Sequence, residues 1–189
     1  MLRTNELAPP MQMAHGSIAL LDQADDSYPS SPAIGEATWT LFRMHLAGIK
    51  AAPSPKTELV NLAKNSLTKA GYDVQLISNA ELATSTGPVL HLRIDEFAYE
   101  MWSWTWPYVP IFGNTAITMS VRVPHGQQAE ARSFRAPGRE SCWFGDCEKQ
   151  VEAAVAQSLT NIMNQVVQWT AEDSFRTAVK SSRMQHARP

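Results

Sequence analysis

Residues 89–123, VLHLRIDEFAYEMWSWTWPYVPIFGNTAITMSVRV, alternate between apolar and polar side chains at both ends of the stretch. Successive side chains of a β-strand point to opposite faces, so this alternation predicts one strand over 89–94 and another over 114–123. In the first strand, the leucines and Ile94 are expected to face a core, while His91 and Arg93 face outward. The two strands form the arms of a predicted long hairpin.

The apolar positions change parity just after Asp95 and Glu96. Before this point they are even-numbered, and after it they are odd-numbered, at Phe97, Tyr99 and Met101. A change of parity turns the apolar side of a strand to the other face unless an extra residue is inserted. The sequence therefore predicts a bulge or a bend at 95–96.

Half of the chain's six tryptophans stand at alternate positions in this stretch, immediately before two prolines. On a strand these indoles share one face, and the prolines cannot donate hydrogen bonds to a neighbouring strand. Residues 101–112 are therefore expected to form a protruding hairpin or a sheet edge. Two interpretations stay open: the indoles pack in the core, or the run is an aromatic surface for a partner, a sugar or a membrane interface. The candidate binding residues are Trp102, Trp104, Trp106, Tyr108 and Phe112.

Outside the hairpin, periodic patterns predict two helices and four strands. One helix is expected over 55–70, where apolar residues recur at helical spacing and Gly71 acts as a stop. The other is expected over 148–170, where six apolar residues follow one another at steps of three or four. The strands are expected over 17–21, 39–46, 72–77 and 129–136.

These elements predict an α+β fold in which a mainly antiparallel sheet carries two helices packed on one face. A chain of 189 residues with 44% hydrophobic content suits a single domain, which is expected to span residues 17–180. Residues 1–16 and 181–189 are expected to be N-terminal and C-terminal tails. The face of the sheet away from the helices must then be polar or covered.

The two cysteines, Cys142 and Cys147, lie on either side of a Gly-Asp pair. This spacing lets their side chains meet, so a disulfide is the first interpretation and two inert thiols are the second. Metal or redox chemistry is the least favoured alternative, because neither a second ligand pair nor a C-x-x-C motif accompanies them. A disulfide implies an oxidising compartment and therefore export.

Composition and motifs argue against several classes of function. The formal net charge of −2 and the lack of a basic run argue against nucleic acid as a partner. No apolar run approaches the roughly 20 residues of a transmembrane helix. The sequence has no phosphate-binding loop, dinucleotide fingerprint or serine-nucleophile motif, and its five histidines are scattered, so neither a metal nor a cofactor is predicted.

One group of side chains suggests catalysis. Asp95, Glu96 and Glu100 cluster around the predicted bend, and two carboxylates held a few ångström apart can act as general acid and general base. On a strand edge such carboxylates are more often solvated, so a hydrolase that uses them is the least favoured function. No catalytic residue is assigned.

The order of several short motifs resembles that of the YajG-type bacterial lipoproteins, a family of uncharacterised envelope proteins. The motifs are a helix that ends in KAGYDV (69–74), the segment GPVLHLRI (87–94), a long hairpin, and a C-terminal helix that ends in Phe175 and Arg176. Such lipoproteins are tethered to the outer membrane through a lipidated cysteine near the N-terminus. The resemblance, which spans residues 17–178, implies a periplasmic protein whose leader and lipidated cysteine are absent from this chain. The CWFGDC loop and the tryptophan run are additions to the family pattern.

Together these features predict a non-enzymatic interaction or assembly module of the cell envelope. The alternative is a protein that binds glycan, peptidoglycan or lipid through the face of Trp102, Trp104 and Trp106. The expected partner is an envelope protein or a second copy of the chain, bound through the aromatic hairpin.

Overall fold

The structure, a computed structural model, describes residues 16–26, 33–39, 44–50, 55–82, 85, 88–102, 107–122, 128–143 and 147–186. Within these residues the strands are β1 (Gly16–Leu21), β2 (Asp25–Asp26), β3 (Ala33–Trp39), β4 (Met44–Lys50), β5 (Tyr72–Ile77), β6 (Val89–Trp102), β7 (Tyr108–Arg122) and β8 (Gln128–Trp143). The helices are α1 (Pro55–Lys69), α2 (Asn79–Leu82), α3 (Glu148–Thr170) and α4 (Asp173–His186). The fold is therefore α+β.

The sheet is built on β6. Along one edge β6 pairs in parallel with three strands in succession, which are β1 at its start, β2 in its middle and β3 at its end. β5 extends the sheet beyond β1 in parallel, and β4 extends it beyond β3 in the antiparallel sense. Along its other edge β6 pairs with β7, and β7 pairs with β8, both antiparallel. The sheet is mixed, so the prediction of a mainly antiparallel sheet is confirmed only in part: the long pairs β6–β7 and β7–β8 and the pair β3–β4 are antiparallel, whereas the other pairs are parallel. Alternation did not reveal the parallel pairs, because it reports which faces are buried and not the direction of neighbouring strands.

The bulge predicted at 95–96 is confirmed. The register of β6 against β7 shifts between Ile94 and Glu96. Leu92 and Ile94 are buried before the shift, and Phe97 and Tyr99 are buried after it. The extra residue therefore keeps the apolar side of a 14-residue strand on one face of the sheet.

The hairpin is longer than the alternation predicts. β6 continues to Trp102, and β7 already begins at Tyr108, so the strand includes Pro110. Pro110 is tolerated because it lies beyond Ile111, the last β7 residue that pairs with β6. The return strand β8 runs to Trp143 instead of ending at 136.

Two predictions about the remaining elements need correction. The strand expected over 39–46 is two strands, because β3 ends at Trp39, β4 begins at Met44 and these two residues pair antiparallel; residues 40–43 lie outside the described part. Four helices are described instead of two, and the last of them, α4, extends to His186. The alternation between apolar and polar residues continues into β4 from the segment that precedes it. This explains why the sequence suggests one strand over 39–46 instead of the end of β3 and the start of β4.

The two predicted helices are confirmed. α1 is followed by Gly71, whose φ of 93° is a left-handed conformation that ends the helix. α3 matches its predicted range, and its apolar stripe from Val155 to Trp169 is buried. α1 contacts β1 and β5, α3 contacts β7 and β8, and the two helices contact each other.

Two glycines allow α3 and the sheet to approach closely. Gly113 of β7 and Gly138 of β8 are register partners. A Cβ atom at Gly138 would overlap the backbone carbonyl oxygen of Ala154 in α3, and one at Gly113 would overlap the ring of Tyr99. The missing side chains therefore make room for the helix backbone and for a large core residue.

His91 departs from its predicted exposure. It was expected to face outward, but only 7% of its surface is exposed, and Val89 and Ser120 are also buried. At the start of β6, side chains on both faces of the strand are therefore buried. A central strand with parallel neighbours is commonly covered on both faces, and alternation alone does not reveal this.

Candidate interaction surface

Four aromatic side chains lie on one face of the sheet at the end of the hairpin. Trp102 of β6, Tyr108 and Phe112 of β7 and Trp143 of β8 form this aromatic patch. The ring centroids are 5.4 Å apart for Trp102 and Phe112 and 6.4 Å apart for Tyr108 and Trp143. Phe112, Tyr108 and Trp143 expose 40%, 46% and 70% of their surface. Trp102 is half-buried.

The patch lies on the face of the sheet that is opposite to α3. In β8, Ala136 and Cys142 are buried, and Gly138 meets the backbone of α3, so even positions face the helix. Trp143 is at an odd position and points away from α3. Tyr108 is the register partner of Trp143, and directly opposed residues share a face.

Three of the five candidate binding residues belong to the aromatic patch, whereas Trp104 and Trp106 lie outside the described residues. Trp143 was not among the candidates. Its signal was present in the sequence, because a return strand that continues from 136 to Cys142 places Trp143 on the outer face by parity. The Pro137-Gly138 pair resembles a turn and concealed that continuation.

A disulfide joins Cys142, near the end of β8, to Cys147, the residue that precedes α3, as the spacing predicted. Cys142 is buried in the core, and Cys147 packs partly against it. Trp143 lies within the loop that this bond closes. The disulfide therefore anchors both ends of the short segment that carries Trp143, the most exposed residue of the patch, and restricts its motion.

α3 closes part of the outer edge of β8 beside the patch. The backbone N–H of Arg139 donates to Gln157 Oε1 at 3.0 Å, and Gln165 Nε2 donates to the backbone carbonyl of Arg135 at 3.3 Å. Pro137, midway between them, has no N–H to donate. Exposed strand edges accept further strands, so these contacts disfavour strand addition at 135–139 and leave the sheet face available.

The three candidate catalytic carboxylates each contact a different partner. The contacts are Asp95 with Arg93 and Thr118 (2.7 and 2.6 Å), Glu96 with Arg135 (2.7 Å), and Glu100 with the indole N–H of Trp102 (2.9 Å). Each carboxylate is thus held by a cation, a hydroxyl or an indole, and none of these contacts joins two carboxylates. The arrangement resembles a solvated structural network more than an acid–base pair.

A buried hydroxyl network lies on the helix side of the same hairpin. Tyr99 Oη hydrogen-bonds with Thr115 Oγ1 at 3.0 Å and with Ser158 Oγ of α3. The two smaller hydroxyls are 3.1 Å apart, and Ser158 also donates to the carbonyl of Val155 at 2.9 Å. Burial raises the pKa of Tyr99 above 10.0, and the hydrogen bonds with Ser158 and Thr115 oppose this rise. The network joins β6, β7 and α3 and has no exposed nucleophile.

A separate cleft of about 310 Å³ lies between α1 and α3. Its lining residues are Leu62, Asn65, Ser66, Thr68, Lys69, Thr160 and Met163. The Thr160 hydroxyl is buried there with no hydrogen-bond partner among the described residues. Lys69 is the charged lining residue, so the cleft does not combine an acid with a base.

Two further observations limit the chemistry of the described residues. No group of three or more His, Cys, Asp or Glu side chains among them is arranged to hold a metal ion. None of the described helices is both long enough and apolar enough to cross a membrane.

No protein-family model matches the sequence, and no curated protein matches it. Solved structures do match. Protein XCC0632 from Xanthomonas campestris, of the family DUF330, has a TM-score of 0.58 at 15% identity, over 95% of this chain and 96% of that chain. A PelC dodecamer from Paraburkholderia phytofirmans has a TM-score of 0.40 at 12% identity, over 86% and 93%. A minor lipoprotein from Acinetobacter baumannii has a TM-score of 0.39 at 15% identity, over 87% and 95%.

The likeness to the Xanthomonas protein shows a shared fold along nearly the whole of both chains. At 15% identity it is a statement about fold alone. The structural neighbours thus include a DUF330 protein and a lipoprotein, and the resemblance to the YajG-type family stays a prediction.

Proposed function

We propose that this protein is a non-enzymatic interaction or assembly module of the bacterial cell envelope, and that the aromatic patch is its contact surface. The proposal depends on one observation: three large rings on one sheet face are each at least 40% exposed. Clusters of exposed aromatic side chains mark binding surfaces, because each ring gains a few kcal/mol when a partner removes it from water. Trp and Tyr are also enriched among the residues that dominate binding energy.

The proposed compartment is the periplasm, with a tether to the outer membrane through a lipidated cysteine. The disulfide between Cys142 and Cys147 supports this compartment, since disulfides persist in oxidising environments. The sequence resemblance to envelope lipoproteins supports the tether. Fractionation of the source cells tests both, and recovery of the chain in the cytoplasm with free thiols contradicts them.

A second candidate function is binding of glycan, peptidoglycan or lipid by the same patch. The favouring observation is that polar groups border the rings, since Glu100 and Arg139 flank Phe112 in the register of β6, β7 and β8. Sugars offer apolar faces to aromatic rings and hydroxyls to such side chains. A hydrolase that uses Asp95, Glu96 or Glu100 has less support, because each carboxylate already has a partner.

The first test is site-specific cross-linking in the source cells. A photoreactive benzoylphenylalanine replaces Phe112 in one variant and the exposed Asn161 of α3 in the control. We expect adducts from position 112 with an envelope protein or with the chain itself, and fewer adducts from position 161. Equal adduct yields from the two positions, or none from 112, contradict the proposed contact surface.

Sedimentation with purified peptidoglycan and with lipid vesicles tests the second candidate. Binding that Trp143→Ala weakens about tenfold favours glycan or lipid recognition through the patch. Binding that Trp143→Ala leaves unchanged excludes the patch as the site.

A further inference from the structure

A row of three exposed side chains crosses the aromatic patch. Glu100 of β6 is the register partner of Phe112 of β7, and Phe112 is the register partner of Arg139 of β8. Directly opposed residues share a face of the sheet. A carboxylate and a guanidinium therefore stand on the two sides of an exposed ring.

Another row on the same face, separated from the first by the row of Ala98, Asn114 and Pro137, shows how such charges behave when a small residue lies between them. Glu96, Ala116 and Arg135 occupy the corresponding positions of β6, β7 and β8. Glu96 and Arg135 form an ion pair of 2.7 Å across Ala116. A glutamate and an arginine thus reach each other over one intervening strand.

In the patch, the ring of Phe112 occupies the position of that alanine. Glu100 accepts a hydrogen bond from Trp102, and the guanidinium of Arg139 has no ion-pair partner among the described residues. The row therefore presents one charge of each sign and an apolar centre to whatever approaches the face.

We propose that a second copy of this chain docks on the aromatic patch with two-fold symmetry, the two sheets lying face to face. The inference rests on the proposed function, whose contact surface it uses. A two-fold axis that runs between the sheets along β7 exchanges the positions of β6 and β8. Glu100 of each copy then faces Arg139 of the other, and the two Phe112 rings meet at the centre. Stacked sheets lie about 10 Å apart, a spacing that large side chains from both faces fill.

The charges and the sheet edge favour this partner over others. A charged surface that binds itself needs both signs, because in a two-fold interface every contact is made twice with the roles exchanged. Anionic lipid or nucleic acid selects clustered cations, which the row lacks. Strand addition at 135–139 is disfavoured because Gln157, Pro137 and Gln165 occupy that edge.

Charge reversal tests the symmetry directly. Sedimentation equilibrium of the wild type is expected to give a reversible dimer. Glu100→Arg places two arginines opposite each other at both contacts, and Arg139→Glu places two glutamates there. Each single variant should therefore dimerise about tenfold or more weakly. An equal mixture of the two variants restores both ion pairs, so it should form heterodimers with nearly the wild-type dissociation constant.

The mixture separates the proposed contact from a folding defect, because a misfolded variant cannot be rescued by another variant. Glu152→Arg, an exposed reversal on α3, is the matched control and should dimerise like the wild type. Phe112→Ala should weaken dimerisation in every pairing.

A monomeric wild type, an oligomer larger than a dimer, single variants that dimerise normally, or a mixture that does not recover each overturns the proposal. If the chain is monomeric while position 112 cross-links to another envelope protein, the proposed function stands and this inference is wrong. If position 112 forms no adduct and the chain is monomeric, both are wrong.

Discussion

Gly138 shows how a single residue sets the distance between a helix and a sheet. The space that a side chain at Gly138 would take is occupied by the backbone of α3 at Ala154. Because backbone atoms cannot rotate out of the way, a side chain at this position must displace the whole helix.

We expect Gly138→Ala to lower the free energy of unfolding by about 1–3 kcal/mol or more, because the added methyl overpacks the contact with α3. Urea denaturation followed by circular dichroism measures the loss. Glu140→Ala, at an exposed position of the same strand, is the control and should change stability by less than about 0.5 kcal/mol. Equal effects from the two variants would falsify the close-packing role of Gly138.

Tyr99 carries the second residue-scale prediction. Its hydroxyl is completely buried and hydrogen-bonds with Thr115 and Ser158. In Tyr99→Phe these two hydroxyls still bond to each other, so we expect a loss of about 1–2 kcal/mol at neutral pH.

The alkaline behaviour follows from the pKa of Tyr99. Burial raises this pKa in the folded state, so the folded protein holds the phenolic proton more tightly than the unfolded chain does. The resulting stabilisation is complete below the unfolded pKa, near 10, and is lost as pH rises from there through the folded pKa. The free energy of unfolding should therefore fall above about pH 10, and Tyr99→Phe should reduce the fall. A variant with the same alkaline slope as the wild type would contradict this account.

At the scale of elements, the disulfide joins the end of β8 to the start of α3 across the loop that carries Trp143. A closed loop with a sequence separation of 5 restricts the unfolded chain only locally. We therefore expect reduction to lower the free energy of unfolding by about 2 kcal/mol and to lower the Tm by several degrees.

Thermal unfolding with and without a phosphine reductant measures this effect, and alkylation followed by mass measurement verifies complete reduction. The variant with both Cys142→Ala and Cys147→Ala is the control, and its Tm should not respond to the reductant. An unchanged Tm of the fully reduced wild type is the outcome that contradicts a stabilising role for the bond.

Element predictions succeeded where local periodicity carried the information. Alternation and helical spacing are patterns among residues that are close in the sequence. They were sufficient to predict α1, α3, β5 and the bulge in β6. The end of β8 was missed because Pro137 and Gly138 are turn formers in isolation. In the fold, Pro137 lies on the outer edge of the sheet, where its missing N–H breaks no strand pairing, and Gly138 makes room for the backbone of α3.

For the whole molecule, an aromatic cluster joins α4 to the rest of the fold. Phe175 is fully buried, and its ring centroid is 4.7 Å from Trp169 of α3 and 6.1 Å from Tyr72 of β5. Trp169 in turn lies 5.6 Å from Phe134 of β8. The cluster thus connects two helices with two strands that are distant in sequence.

We expect Phe175→Ala to destabilise the whole domain by about 3–5 kcal/mol, because it opens a cavity at this junction. Circular dichroism and tryptophan fluorescence should report one shared transition at a lower temperature. Phe112→Ala removes the same atoms from an exposed site and is the matched control; measured at a protein concentration at which the chain is monomeric, it is expected to cost less than about 1 kcal/mol. Loss of helical signal at an unchanged main transition would show that α4 unfolds alone and that the cluster does not couple the elements.

The sequence by itself determined the features that depend on near neighbours. It specified the arms and the bulge of the hairpin, the two main helices and the disulfide, because periodicity, turn residues and a short cysteine spacing act over a few positions. It also directed attention to Trp102, Tyr108 and Phe112, because they belong to the aromatic run at the end of the hairpin.

Only the tertiary structure decided which elements meet. The parallel strands beside β6, the burial of His91 and the pairing of Tyr108 with Trp143 join residues that are far apart in the chain. The same is true of the row formed by Glu100, Phe112 and Arg139, which lies on three strands. Local patterns report the faces of a strand, whereas its neighbours and their register depend on the packing energy of the complete sheet.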